Sequence, residues 1–591
     1  EGSNVIRSPT SRWCQRCRGV SIRWMKRWPR PGRWLSAVLL AELSLHARAA
    51  TAWIRKEAEI AAHGLSQLRD GGADGQVFGK RTADSRSRDM LSQPDDAVWK
   101  VLHAGSEDGK DFAEILREAQ KAEPTTTTPE SLESFEDAIP APLLNMRSPS
   151  APMRIRSQAF HPTKGGNLNH SGYSPYVGAP DLSFPSWTFV HPQVQPKGLR
   201  TATKRVFHGS PLIDADLNVY IQSTSGWIFS FTKDGELRWS FDLNSEDPQN
   251  PGNMALLDGT AFVCTEDGMA WAIDLVEGAE RWRQRIATHC STDAFSVVAQ
   301  RGSILIPCNP ANGDEPDNMD GSHGLCSVSE KDGAPRWTFN LNRYGSKGYN
   351  LAPSVVDGVV YFTDLSGAVY AISVEDGQEV WRHPGSEDAT FSTATSAVGP
   401  DSRLYNAFNV RKGSETEGVL RSHDLKFGDI VWAKSFSEGI NAAPAVGPMG
   451  PQNRTTVIVG VGNNPECLPE PVIGTTKRAK LYALDAETGN TLWSFTAPEY
   501  SLSCAGNTPA EICCPSMWSQ PTLAADGRVY VNWSGGKFFA LMDANQDGSI
   551  DANDPNEFSF YHHGKGSNSQ TALAPGLMVA AVCNKILAYE T

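Results

Sequence analysis

No run of apolar residues in this 591-residue chain is long enough to cross a bilayer as a helix, so a helical membrane span is excluded. Beyond residue 49 there is no closely spaced Cys/His cluster of the zinc type, which argues against structural zinc, and no Cys-x-x-Cys-His sequence occurs to attach a c-type haem. Positive charge is scarce: 54 Lys and Arg stand against 67 Asp and Glu, a formal charge of −13. That balance disfavours nucleic acid and anionic membranes as partners. Apolar positions at helical spacing mark the stretch 95–123, where Phe112, Ile115 and Leu116 share a face and suggest a short helix or helical hairpin. What the chain has in quantity is glycine (52), proline (38) and tryptophan (17), with 40% hydrophobic residues to fill a large, turn-rich fold.

Six of those tryptophans follow a glycine at a fixed spacing of four: Gly235/Trp239, Gly278/Trp282, Gly333/Trp337, Gly377/Trp381, Gly428/Trp432 and Gly489/Trp493. The pairs recur every 43 to 61 residues, the mark of a stacked supersecondary unit. Residues 351–384 show the unit whole: four strands rich in Val, Tyr, Ile and Phe, separated by Asp-Gly, Ser-Gly and Asp-Gly turns. Glycine in those turns supplies the positive φ that tight hairpins require, so each unit is a four-stranded antiparallel meander.

A lone meander cannot bury both faces, and radial stacking into a β-propeller does so while leaving only short edges. Third strands around Phe231, Ala272, Val328, Ala371, His423, Ala483, Leu541 and Ala588 count eight blades. The last has no fourth strand after it, whereas the upstream strand "FPSWTFV" carries Trp187 in the matching place. We therefore expect an all-β, eight-bladed propeller over 161–591, closed by its N-terminal strand. Phe560 stands near the tryptophan place of blade seven.

Ahead of the propeller the chain reads differently. From Met25 a basic segment, an apolar run over 34–45 and the ending Ala47-Arg48-Ala49 have the form of a secretory signal, which makes 1–24 an upstream extension and 25–49 the signal. Removal of residues 1–49 takes away ten basic and two acidic residues and moves the formal charge to −21. Residues 50–160 are expected to be largely irregular, with a short helix over 95–123 and a polar Thr/Pro linker after it. The basic, serine-containing stretch 79–88 leaves a two-part plastid address as the alternative destination. Nine cysteines lie beyond the signal, and in an oxidising compartment Cys308 and Cys326, on neighbouring strands of blade three, are expected to pair. Asn169, Asn453 and Asn532 stand in glycosylation sequons.

Blade seven replaces its third turn with "DANQDGSIDAND". Asp543, Asn545, Asp547, Ser549, Asp551 and Asp554 fall at positions 1, 3, 5, 7, 9 and 12 of a twelve-residue calcium loop, with Gly548 at the sharp turn and Ile550 at the apolar position. The flanks are strands, so the expected ion is structural and stiffens a hairpin; opening of a helix pair is excluded.

The phrase "KLYALDAETGNTLWSF" over 480–495 and the opening "NLNHSGYSP" over 167–175 resemble the PQQ-like repeat superfamily. The resemblance implies one of two roles. One is a non-enzymatic, protein-binding scaffold similar to the lipoprotein of outer-membrane barrel assembly; the other is a PQQ- and calcium-dependent alcohol dehydrogenase. Cys513-Cys514 and the segment 460–471, with Asn463 or Asn464 as cofactor-metal ligand, resemble enzyme features. Yet "CCPSMWSQPTL" offers no carboxylate for a catalytic base. The scaffold, a secretory-pathway assembly subunit with a protein partner, is the first reading; no catalytic or PQQ-contacting residue is assigned. Insertions at 309–323 and 463–479, and the Cys-rich loop leading into blade seven, are the places for function.

Overall fold

The computed structural model describes residues 159–591 apart from 192–205, 208, 244–252, 291–294, 310–322, 347, 349–350, 414, 463–478 and 500–516. The chain divides into Glu1–Met146 and Arg147–Thr591, and every described residue belongs to the second unit. The signal, the stretch 95–123, Asn463, Asn464, Cys513 and Cys514 lie outside the described residues.

Eight antiparallel sheets form the ring, and a 3-10 turn, Leu341–Tyr344, is the one helical element among the described residues. Blade one shows the pattern, with strands Leu212–Ile213, Val219–Gln222, Trp227–Phe231 and Leu237–Asp242 running from the channel outwards. The inner strands bury every residue but Trp227, because both their faces meet neighbouring blades, whereas every residue of the outermost strand is at least partly exposed. In blades three and five the innermost strand is broken into two short pieces that pair with the same neighbour. Blade eight takes its outer strand from the other end of the chain: Trp187–Val190 pairs with Lys585–Glu590, Trp187 opposite Ala588.

The Gly-Trp ladder joins one blade to the next. From Trp187 to Trp432 each ladder tryptophan ring lies under the turn glycine of the following blade: a Cβ on Gly235, Gly278 or Gly377 would stand 2.7, 2.5 or 2.7 Å from the ring of Trp187, Trp239 or Trp337. Those glycines have φ of 87°, 64° and 70°, so close approach and backbone sign both demand glycine. The indole N–H then donates to a carbonyl of the next blade, as from Trp337 Nε1 to Val374 O at 2.8 Å. A β-bulge follows the residue opposite each of the six Gly-Trp tryptophans, re-aiming the third strand into its turn.

Blade seven breaks the ladder. Its register is unshifted and sets Ser559, opposite Ala540, where the other blades carry tryptophan. Phe560, expected near that place, stands one residue further on and packs into the core between blades six and seven. Ser559 Oγ instead accepts a hydrogen bond from Leu182 N–H at 2.9 Å, so the incoming segment 179–182 seals the junction of blades seven and eight.

That segment leaves a plug. Between His161 and Ser174 the backbone meets the innermost strands of successive blades in turn. His161 exchanges two hydrogen bonds with Ile213; then Pro162 O accepts from Leu256 N, Leu168 O from Val355 N, Asn169 O from Val398 N, Ser171 O from Val446 N and Gly172 O from Leu523 N. Thr163 Oγ1 donates to Val297 O in blade three, and Gly165 N donates to Gln570 Oε1 just ahead of the inner strand of blade eight. All eight blades are thereby tied to one short segment on the ring axis.

Candidate functional site

The meander sorts the connections onto two faces. Turns between first and second strands, and between third and fourth, lie on the face we term lower; turns between second and third strands, and the links between blades, lie on the upper face. Backbone bonds join the two kinds of upper connection blade by blade: Leu243 N to Gly226 O, Ile286 N to Gly268 O, Ser386 N to Ser366 O and His563 N to Gly536 O. The strands that lead into 310–322 and 463–478, Ser303–Asn309 and Arg454–Gly462, are second strands, and 500–516 is a blade link. All three insertion sites therefore open on the upper face.

Two disulfides brace that face. The expected pair Cys308–Cys326 forms within blade three, and Cys264–Cys290 ties blade two to it, with Cys290 directly opposite Cys308. Cys583 is also disulfide-bonded. The buried run after the Cys-rich loop, Met517 to Gln520, carries no carboxylate, and Trp518 packs on Gly460 while its indole donates to Val461 O. One sequon is corrected: Asn532 is wholly buried and its amide donates to Ser569 O, so it cannot carry a glycan in the folded ring. Asn453 is exposed at a turn, and Asn169 is half-buried in the plug.

The calcium-type loop projects from the lower face between Lys537–Leu541 and Phe558–His562. Gln546 and Gly548 adopt φ of 60° and 88°, curling the backbone so that successive N–H groups point inwards. Asp543 accepts from Asp547 N through Oδ1 and from Gly548 N through Oδ2, both at 3.1 Å. Asn545 Oδ1 accepts from Asp547 N, and Asp547 Oδ1 from the backbone and hydroxyl of Ser549. Asp551 and Asp554 turn outwards onto Asn553 and Asn556. The side chain at the inner end of the loop is one the twelve-residue pattern misses. Glu557 is fully buried and its two oxygens accept from Asn545 N at 3.2 Å and Asp551 N at 2.9 Å. Three residues beyond the pattern's end and one before a strand, it carried a single signal, a lone carboxylate where the repeat turns apolar.

Burial, then the nearby charges of Asp547 and Glu557, push the Asp543 carboxyl above its ordinary value. Among the described residues no three His, Cys, Asp or Glu side chains already stand in a metal-holding arrangement. The donor set is nonetheless of oxygen alone, two aspartates, a buried glutamate, Asn545 and Ser549, which suits a hard cation. The loop also leans on blade six: Ser549 bridges to Ser494, and Ile550 packs beside Trp493, which is 2% exposed where Trp337 is half-buried. It fills the step that the ladder lacks.

Comparison with known proteins agrees with the repeat. A family model described as outer membrane protein assembly factor BamB matches residues 195–316, 318–447 and 416–551. The outer membrane protein assembly factor BamB of Yersinia pestis is 23% identical over 357 residues, 57% of this chain and 77% of that protein. A polyvinylalcohol dehydrogenase of a Pseudomonas species is 26% identical over 208 residues, 33% of this chain but 30% of the enzyme, so the likeness spans under a third of its length. The quinohemoprotein alcohol dehydrogenase of Comamonas testosteroni superposes with a TM-score of 0.49 at 13% identity, covering 72% of this chain and 80% of that one. With more than half its length matched, the chain belongs to the PQQ-like repeat family of β-propellers, the family described by the assembly factor BamB.

Proposed function

We propose that this propeller is a protein-binding scaffold of an oxidising, secretory compartment, stiffened by one calcium ion in the loop 543–557. The observation that carries the reading is the division of labour between faces: the plug and ladder rigidify the ring, while the insertion sites and two disulfides gather on the upper face. Rigid scaffolds that present loops on one face are suited to gripping a protein partner. The BamB relative, an assembly factor by name, supports the same reading. The dehydrogenase relatives support the second reading, a PQQ-dependent alcohol dehydrogenase. Titration of the purified protein with PQQ and Ca²⁺ separates them. We expect no stoichiometric quinone uptake; uptake accompanied by dye-linked alcohol oxidation overturns the scaffold.

For calcium, Asp543, Asn545, Asp547 and Ser549 supply oxygens on alternate residues, and Glu557 closes the loop from the core side in the role that the sequence pattern gave to Asp554. Burial raises the Asp543 pKa first and the charges of Asp547 and Glu557 add to it, and an ion there would offset both by stabilising the carboxylate. Held at a hundred times its dissociation constant, calcium stabilises the fold by about 2.7 kcal/mol, and a chelator lowers the melting temperature accordingly. The Asp543→Ala, Asp547→Ala variant is expected to ignore the chelator. In calcium titrations Glu557→Gln weakens binding more than Asp554→Asn; the reverse order returns the last ligand to Asp554, and a parent indifferent to chelator removes the ion altogether.

A further inference from the structure

Of the eight junctions between blades, one is filled differently. Among the described residues seven junctions each bury eleven or more apolar side chains, whereas that of blades four and five buries five: Tyr361, Val369, Ala371, Val398 and Leu404. Buried apolar area holds blade to blade, so this junction is the weakest by that measure. On the third strand, the residues on either side of the one opposite the tryptophan place face the preceding blade. They are Phe229 and Phe231 in blade one, Trp271 and Ile273 in blade two, Tyr370 and Ile372 in blade four, and Phe539 and Leu541 in blade seven. In blade five these two places hold Arg421 and His423.

The residue that reaches them from the preceding blade stands two after its tryptophan. Phe189, Phe241, Phe339 and Phe495 do so in four junctions, their rings 5.7, 6.1, 5.7 and 5.3 Å from those of Phe229, Trp271, Tyr370 and Phe539. From blade four the residue is His383, its ring 4.9 Å from that of His423. His423 is fully buried; its Nδ1 donates to Gly428 O at 3.0 Å, while its Nε2 and the buried Nδ1 of His383 have no hydrogen-bond partner. Arg421 lies over the Phe408 ring at 4.6 Å and makes no ion pair among the described residues. The charged groups acting on the two rings are Arg382 beside His383, Arg421 on the strand of His423, and Asp429 in the turn that follows that strand. Burial lowers the His423 pKa to about 4; the bond to Gly428 raises it, and His383 and Arg421 lower it again. Burial also lowers that of His383, with Arg421 and Arg382 adding to the effect and Pro384 and Asp429 opposing it. Neutral imidazoles therefore fill the places of phenyl rings here, and this stabilisation is complete above pH 6.5 and lost as the pH falls towards 4.

We propose that the junction of blades four and five is an acid-opened seam. Protonation of His383 and His423 beside Arg421 sets three positive charges where other junctions pair apolar rings, and the outer strand Glu379–His383 parts from the neighbouring Glu415–Asp424. The inner strands stay tied through the plug, Val355 N to Leu168 O and Val398 N to Asn169 O, so the ring loosens at its rim and remains closed at its axis.

Thiol labelling of the full chain tests this. Ala371 and Ala272 are both fully buried opposite a ladder tryptophan, the first in the junction of blades four and five and the second in that of blades two and three. Ala371→Cys reports on the seam and Ala272→Cys is the reference, each labelled slowly with dithiodipyridine and mapped by mass spectrometry, so that the rate follows the open population. The ratio of the two rates cancels the effect of pH on the thiol and of global unfolding. From pH 7 to pH 5 it is expected to rise at least tenfold. Adding His383→Phe and His423→Leu should leave the ratio flat, whereas adding the plug changes His161→Leu and His170→Asn should leave the rise in place. Where the seam variant folds poorly, Arg421→Gln, which keeps both rings, should reduce the rise. A flat ratio with the native seam, a rise that survives loss of both seam histidines, or one indifferent to Arg421→Gln overturns the proposal.

Discussion

Acidification from pH 6.5 to pH 5 is expected to remove about 3 kcal/mol of stability through two histidines of the plug alone. His161 and His170 are wholly enclosed, and burial lowers their pKa values to about 3 and about 4. For His170 a backbone hydrogen bond with Ala352 works the other way, and the smaller effect of the neighbouring Lys164 charge adds to the lowering. Both nitrogens of the His161 ring lack a hydrogen-bond partner, and no other charged group acts on it. Since the folded values lie below the ordinary 6.5, the unfolded chain binds protons that the folded one refuses. Stability from this source is complete above pH 6.5 and falls by about 1.4 kcal/mol per unit per histidine as the pH drops towards 4. Urea melts at pH 7.5, 6.5 and 5.0 measure it. The His161→Leu, His170→Asn variant should lose much less over the same range; asparagine suits the φ of 49° at position 170. A variant as acid-labile as the parent shows that the plug histidines are not the source.

Trp493→Ala is expected to cost about 3–5 kcal/mol. The other ladder tryptophans are half-buried or partly exposed beneath a turn glycine, whereas Trp493 is enclosed in the core between blades six and seven with Phe539, Ile550 and Phe558. Truncation leaves a cavity walled by rigid strands that cannot collapse into it. The cavity would also undercut the loop 543–557, so we expect the chelator to shift the melting temperature less in this variant than in the parent. A loss below about 1 kcal/mol, or a chelator response as large as the parent's, shows that the loop is held independently of the tryptophan. Trp337→Ala, half-buried, serves as the comparison and should cost less.

Much of the ring was legible in the sequence because its information is local. The Gly-x-x-x-Trp spacing, the Asp-Gly turns and the period-2 strands act over a few residues and repeat, and following them to both ends yielded eight blades and the Trp187 closure. The Cys308–Cys326 pair followed from neighbouring strands of one hairpin. The calcium-type loop was readable as a template of alternate oxygens, yet Glu557 was not, because its role depends on the strand that turns it inwards. Asn532 reads as a sequon among polar neighbours and is buried by blade eight, far along the chain. Ser559 displaces Phe560 from the tryptophan place for want of one bulge, a one-residue register effect that composition does not record.

Sequence alone therefore determined the unit, its number and the way the ring closes, since propensity and turn chemistry suffice for a meander. Tertiary structure alone decided that the stretch 161–174 is a plug tied to all eight blades, that the insertions share the upper face while the Asp543 loop projects from the lower, and that Glu557 faces the loop. The plug joins residues tens to hundreds of positions apart through radial stacking of apolar faces, which no local pattern encodes, and Glu557, only 6 and 12 positions from its partners, is turned inwards by the strand that follows it.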